Sequence, residues 1–318
     1  MGSGTGAGVR VVVVGQAGRD LVLTVDGVPE AGGSADVRGR AELLGGKGAN
    51  QARACAQLGA DAALVGVLGD DDAGRSVLAE ARAAGLGVDG VVVRRGARTA
   101  LLVDVVGPPG ERRLLEHVEP AVLLTADDVA AAADALRDAD AVLLQLQQPA
   151  AAVRAALGLL GPRTLVVADG APEDTALVAE LLAAGAVLRA DAAEAGTLAG
   201  RPVHGVEGTV AAATDLVARG ARAVRLAAGA DGDVVAWPGG HVVTPLLGDD
   251  PVDPTGAGDA STAALAVALA GGRDPEEAAW WAAVAARRTV GHPGGRPDLD
   301  PESVAAEAAA ARAARASA

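Results

Sequence analysis

The stretch DAVLLQLQQPAAAVRAALGLLGPRTLVVAD, residues 140–169, decides the fold. Its two ends, DAVLLQL and TLVVAD, are short apolar runs without alternation, as expected of strands buried on both faces. The segment between them, 149–160, reads as a helix. A strand, a helix and a second strand with short connections make a parallel βαβ unit.

The same rhythm extends both ways. Upstream, VRVVVVG (9–15) is a β-branched run ending in glycine, GGKGANQARACAQLGA (45–60) turns from glycines into a helix, and AALVGVLG (62–69) is a strand. DDDAGRSVLAEARAAG (70–85) opens with acids, which suit a helix N-terminus, and stops at glycine. TADDVAAAADALRDA (125–139) predicts a helix capped by Thr125, with Asp128 completing a capping box. Downstream come helix 173–184, strand AVLRA (186–190), helices 191–199 and 206–219, strand AVRLAAG (223–229) and hairpin DVVAWPGGHVVTP (233–245). Helices 256–270 and 274–288 and a helical tail follow. The expected fold class is α/β, a doubly wound parallel sheet. Two β-rich interruptions, 16–44 and 94–119, break the rhythm and are expected to pair as a small lid over the ligand-binding edge. We expect one domain over 1–318, with MGSGTGAG (1–8) a disordered leader.

Composition excludes several classes. The formal net charge of −14 disfavours general binding to nucleic acid or anionic membrane. Phe and Tyr are absent, so stacking platforms for bases are scarce. No apolar run reaches the roughly 18 residues of a membrane span. The single cysteine, Cys55, forms no intrachain disulfide, which with the lack of signal-peptide features suggests the cytoplasm. Any anionic substrate must therefore be held by a local device.

DPTGAGDAS (253–261) offers one. A helix starting near Gly256 would present free amides and a positive dipole end, with small residues admitting an anion closely. Asp259 would project beside that anion. It cannot bind an anion, but it can take a proton from a nucleophile attacking it. A plainer reading is that the acid only complements the helix dipole. GGKGANQA (45–52) lacks the Ser or Thr of a Walker loop, and VVVVGQAGRD (11–20) fails the dinucleotide fingerprint, which disfavours an oxidoreductase. The glycines of 45–48 allow either a plain turn or close approach to a polyhydroxy ligand, with Asn50 as donor and acceptor. His117, His204 and His241 show no ligand spacing. Cys55, Trp280 and Trp281 are expected in the core, and Asp70–Asp72 as a helix-start charge set.

Together, GGKGANQARACAQLGADAALVGVLGDDDAGRSV (45–77) and VDPTGAGDASTAALAVALA (252–270) resemble the two signatures of the ribokinase family of carbohydrate kinases, the phosphofructokinase B group. LLQLQQP, VVADGAP, ADAAEAGTLAG and VRLAAGADGDVVA fall in the family's order, so the resemblance covers about residues 10–300. It implies ATP-dependent phosphorylation of a sugar hydroxyl. By resemblance, Asp259 is the catalytic base, with Gly256, Ala257 and Gly258 its anion hole. Asp20, Gly46, Lys47, Asn50 and Gln147 match sugar-contacting positions. Asp191 and Glu194 match a pair organising magnesium and water, and Gly229, Asp231 and Gly232 a nucleotide loop. Asp253, Thr255 and the loop carrying Gly294 match a monovalent-cation site, with potassium the expected ion. A homodimer through the lid is implied in the same way.

The departures concern specificity. Gly18 replaces an Asn and Gln147 a Glu of ribose-specific members; Asp191 replaces an Asn, Ala227 a Thr and Ser261 a Phe. On a helix, Asp191 and Glu194 would share one face. The acceptor could instead be a nucleoside, a ketose phosphate or a keto-sugar acid. The scarcity of bases beyond Lys47 counts against a phosphorylated sugar. A catalytically weak ligand-binding regulator is the rival of another class.

Overall fold

The computed structural model describes residues 8–107, 111–248, 255–292 and 297–316. The strands are β1 (Arg10–Val14), β2 (Gly18–Val25), β3 (Val37–Gly45), β4 (Asp61–Gly69), β5 (Val91–Arg94), β6 (Ala100–Gly107), β7 (Glu111–His117), β8 (Ala141–Gln145), β9 (Leu165–Asp169), β10 (Val187–Ala190), β11 (Ala223–Ala227), β12 (Asp233–Trp237) and β13 (Gly240–Thr244). The helices are α1 (Lys47–Gln57), α2 (Asp72–Ala83), α3 (Ala126–Ala131), α4 (Ala133–Arg137), α5 (Ala150–Leu157), α6 (Ala176–Ala183), α7 (Ala195–Ala199), α8 (Gly205–Ala218), α9 (Ala257–Ala270), α10 (Pro275–Val290) and α11 (Pro301–Ala316).

Nine strands form one sheet in the order β13-β12-β11-β10-β9-β8-β1-β4-β5. It is parallel except for β12 and β13, the expected hairpin, which add antiparallel to β11. The apolar runs behave as their composition dictates. Val11 and Val13 of β1 join one buried cluster, and Val12 and Val14 join the other. Ala141 and Leu143 of β8 divide from Val142 and Leu144 in the same way. The sheet is therefore covered on both faces, which explains why these strands show no polar alternation.

A core without Phe or Tyr is closed by alanine. Every residue of α9 from Asp259 to Leu269 is buried, and α9 packs against α10 through small side chains. Trp280 and Trp281 are buried as expected, with the Arg273 guanidinium 4.3 Å from the Trp281 ring centroid. Cys55 is buried too, and burial pushes its thiol up to about 12, so it is inert. No helix among the described residues is long and apolar enough to cross a membrane.

The two β-rich interruptions form a second sheet, ordered β3-β2-β6-β7. Its strands start later than expected in the second interruption: Val91–Arg94 is the edge strand of the main sheet, paired with β4. The acidic cluster at 70–72 fastens the two sheets. Asp71 accepts from Gly74 N at 2.8 Å, capping α2, and from Thr99 Oγ1 at 2.6 Å, just ahead of β6. Asp70 accepts from Gly96 N at 3.0 Å. Asp70 and Asp71 thus work as a helix cap and as an anchor for the segment between β5 and β6. His117, His204 and His241 are exposed.

Two helices differ from expectation. The Thr125 capping box is present, but the helix breaks at Ala132, whose amide bonds Val129 O three residues back and tightens the turn. Replacing Thr125 by Ala removes one capped amide and should lower unfolding free energy by about 1 kcal/mol, read from urea denaturation. The helix expected at 191–199 begins only at Ala195. Asp191 Oδ1 accepts from Ala193 N and Glu194 N, both at 2.9 Å, and Glu194 Oε2 accepts from Asp191 N at 3.0 Å. This reciprocal cap spends residues 191–194 on a turn, so the two acids do not lie on a helical face.

Candidate active site

The site lies at the C-terminal ends of β9 and β10, where ligands bind in open parallel sheets. Asp169 ends β9 and Arg189 is next to last in β10. From the opposite side, α9 points its N-terminus inward. Gly256 takes the left-handed conformation at its N-cap, φ 73°, and Ala257 opens the helix. The first intrahelical bond made by this turn is Ala260 N to Gly256 O at 2.9 Å, so the amides before it have no carbonyl a turn back within the helix.

One cavity of about 270 Å³ gathers most of the expected residues: Asp20, Gly46, Lys47, Asn50, Asp191, Thr255, Gly256, Gly258 and Asp259. The small sheet forms its roof through Asp20 of β2, Asp104 of β6, and Arg112 and Glu116 of β7. Alternation along these strands aims every second side chain inward. A second cleft runs behind α9, lined by Arg225, Asp233, Pro245–Gly248, Ala257, Gly258 and Arg287. The two spaces share Arg189 and Gly258.

Asp259 is held from two sides by α1. Asn50 Nδ2 donates to Oδ2 at 3.3 Å, and Gln51 Nε2 to Oδ1 at 3.2 Å. Gln51 Nε2 also donates to Asp169 Oδ2 at 2.7 Å, and Arg189 Nη1 to Asp169 Oδ1 at 2.8 Å. Burial and then the Asp169 charge raise the Asp259 carboxyl to about 6, while Lys47, Gln51 and Arg189 pull the other way. A carboxylate tuned there accepts a proton more readily than a solvated aspartate. For Arg189, burial disfavours the charge, but Asp169, Asp259 and Glu194 outweigh it and keep the guanidinium cationic.

Other expected residues sit apart. Gln147 is not part of the cavity lining and donates to Glu194 Oε1 at 3.0 Å; Lys47 Nζ stands 4.0 Å from the same oxygen. Losing the expected acid at 147 therefore exchanges a repulsive neighbour of Glu194 for a donor. Glu194 thus flanks the cavity rather than lining it. Gly229 and Asp231 form an exposed 3-10 turn followed by Gly232, beyond the lining of either cleft. Asp253 and Gly294 lie outside the described residues. His292 Nδ1 pairs with Arg288 O at 2.8 Å, closing α10.

Sequence reasoning missed Gln51, Asp104, Arg112, Glu116, Asp169 and Arg189. A charge inside the apolar strand AVLRA, and acids at the inward positions of TALLVDVV and RRLLEHVE, were the available signals.

A family model described as pfkB family carbohydrate kinase matches residues 9–302. An ATP-dependent ribose-1-phosphate kinase of Halopiger xanaduensis is 33% identical over 302 residues, covering 94% of this chain and 97% of that protein. A bifunctional ribokinase/ribose-5-phosphate isomerase A of Fructilactobacillus sanfranciscensis is 30% identical over 264 residues; the match takes 82% of this chain and 48% of that longer protein. The structure of Arabidopsis thaliana ribokinase complexed with ribose and ATP superposes with a TM-score of 0.75 at 28% identity, covering 94% of this chain and 99% of that one.

Proposed function

Because the chain belongs to the pfkB family of carbohydrate kinases, we propose that it transfers the γ-phosphate of ATP to a hydroxyl of a small, uncharged sugar, with Asp259 as the base. It is a ribokinase-like sugar kinase; the acceptor and the residue roles are our reading. The observation that carries it is Asp259 raised to about 6 at the mouth of the α9 amides, inside the cavity roofed by the small sheet.

The acceptor hydroxyl attacks the γ-phosphorus. The new O–P bond forms as the bond to the β–γ bridging oxygen breaks, and ADP leaves. Asp259 receives the hydroxyl proton, and the amides of 256–258 face the charge on the transferring group. Asp20, Lys47 and Asn50 orient the sugar. The small sheet, read as a lid, excludes water. ATP occupies the second cleft. Asp191 and Glu194 are hard oxygen donors of the kind magnesium takes, commonly through water; since amides already occupy them, they fit an outer shell. Bound magnesium supplies charge neutralisation on the triphosphate. A monovalent cation near Thr255, a lid-to-lid dimer and a cytoplasmic location belong to the same reading.

The acceptor side is acidic: Asp20, Asp104, Glu116, Asp191 and Asp259 outnumber Lys47, Arg112 and Arg189, and Arg112 is bound to Asp104 at 2.5 Å. That balance favours an uncharged sugar over a phosphorylated one. ADP release from ATP across pentoses, hexoses, nucleosides, pentose phosphates and sugar acids, with and without potassium, tests this. Turnover confined to phosphorylated acceptors would overturn it, and ATP-independent binding alone would favour the regulator.

The pH dependence carries a sign. The base works deprotonated, so kcat/KM should rise with pH through about 6 and level above it. Replacing Asp169 by Asn removes a charge that raises Asp259, and should move that limb to lower pH, as read from a pH–rate profile.

A further inference from the structure

We propose that Arg189 is a catalytic residue: its guanidinium contacts the phosphoryl group as it passes between the two clefts. This rests on the kinase reading above.

Position is the first argument. Arg189 and Gly258 are the residues common to the linings of the acceptor cavity and the second cleft. A phosphoryl group moving from one to the other crosses that point. The contact with α9 is close, since a Cβ built on Gly258 would lie 2.5 Å from Arg189 Nη2. Glycine at 258 is what lets the guanidinium reach the helix's first turn.

Unspent bonding capacity is the second. Nη1 is committed to Asp169, which is wholly buried and fixes the group. Nε is buried without a hydrogen-bond partner. The other cations of the two clefts are engaged: Arg225 with Asp233 at 2.7 Å, Arg112 with Asp104, Arg287 with Glu307 and Lys47 beside Glu194. A planar donor group anchored on one side, with donors left over, suits recognition of phosphoryl oxygens. In a chain of net charge −14, it supplies the local positive device the anion needs. The role is to meet charge in the transition state with a cationic donor already in place, the kind of contact whose loss costs about 10²–10³ in kcat.

The competing explanation is that Arg189 only neutralises Asp169. The double variant Asp169→Asn/Arg189→Gln removes both charges; compared well above the Asp259 limb, where that carboxyl is ionised with or without Asp169, mere neutralisation predicts kcat near that of Asp169→Asn alone. Our proposal predicts kcat about 10²–10³ lower, with acceptor KM within a few-fold and Tm near that of the parent. It also predicts that binding of ADP with aluminium fluoride, a mimic of the transferring group, weakens by about 10²-fold while ADP alone binds normally. Added guanidine should restore part of the turnover of Arg189→Ala. A double variant with kcat within about three-fold of Asp169→Asn alone, or unchanged fluoride-complex affinity, would sink the proposal. Should the neutral pair fail to fold, Arg189→Lys keeps the charge, and unchanged fluoride-complex affinity and kcat in that variant overturn the forked contact. The fluoride measurement does not involve proton transfer, so it separates failure of this role from failure of Asp259 as base.

Discussion

Asp259→Asn should cut kcat by about 10²–10⁴ while leaving the KM for ATP within a few-fold. The amide keeps the shape of the carboxyl but cannot take a proton. The cleft we assign to ATP is lined by Ala257 and Gly258, not by residue 259, so on that assignment nucleotide affinity has no reason to change. Stability separates this loss from misfolding. The folded-state carboxyl, raised from 3.8 to about 6, binds its proton more tightly than the unfolded chain does. Stability from that group is therefore present below about 4 and lost as pH rises through 6. At pH 7 the ionised, buried Asp259 is a cost of up to about 3 kcal/mol, at 1.36 kcal/mol per pKa unit. The neutral variant should accordingly melt no lower than the parent at pH 7 by calorimetry. Full turnover by Asp259→Asn would remove the base from the mechanism.

The parts of the molecule legible in the sequence are those where one physical cause dominates. Val11–Val14 and Ala141–Leu144 face two cores at once, so hydrophobicity alone marks them as central parallel strands. The glycines ahead of Asp259, and Thr125 with Asp128, carry local signals that need no tertiary partner. Arg189 and Asp169 carry no such signal. Each is a charge in a strand otherwise built for burial, and only the β9–β10 pairing, Asp169 beside Arg189, shows that they satisfy one another. Gln51 likewise reads as one polar residue on an Ala-rich helix until α1 packs against α9 and its amide reaches two acids. At 191–194, periodicity favours a helix, and side-chain hydrogen bonds to three amides win instead. The roof of the site was hidden for another reason. Asp104 and Glu116 point inward only because β6 and β7 pair with Asp104 opposite Leu114 and Leu102 opposite Glu116, a register no single strand announces.

Gly45→Ala should raise the acceptor KM by about 10–100-fold with ATP binding unchanged. Gly45 ends β3, where β2 runs antiparallel beside it, and Asp20 folds back across its α-carbon. A Cβ at residue 45 would lie 1.9 Å from Asp20 Oδ1 and 2.0 Å from its Cγ, so the aspartate must leave its place. Asp20 is 4% exposed and lines the acceptor cavity, so there is little open space to receive it on its own side. A displaced carboxylate no longer meets the sugar hydroxyls, and a lost hydrogen bond to a charged group is worth about 1.5–3 kcal/mol, which is the stated change in KM. The effect belongs to binding, since residue 45 is remote from the second cleft and absent from the network holding Asp259. Initial rates over acceptor concentration, at saturating ATP, read it directly. Asp20→Ala should show a loss of similar size, and combining the two should add little, because both remove the same contact. Additive losses would mean that Gly45 acts through the strand itself and that Asp20 is not what its missing side chain protects.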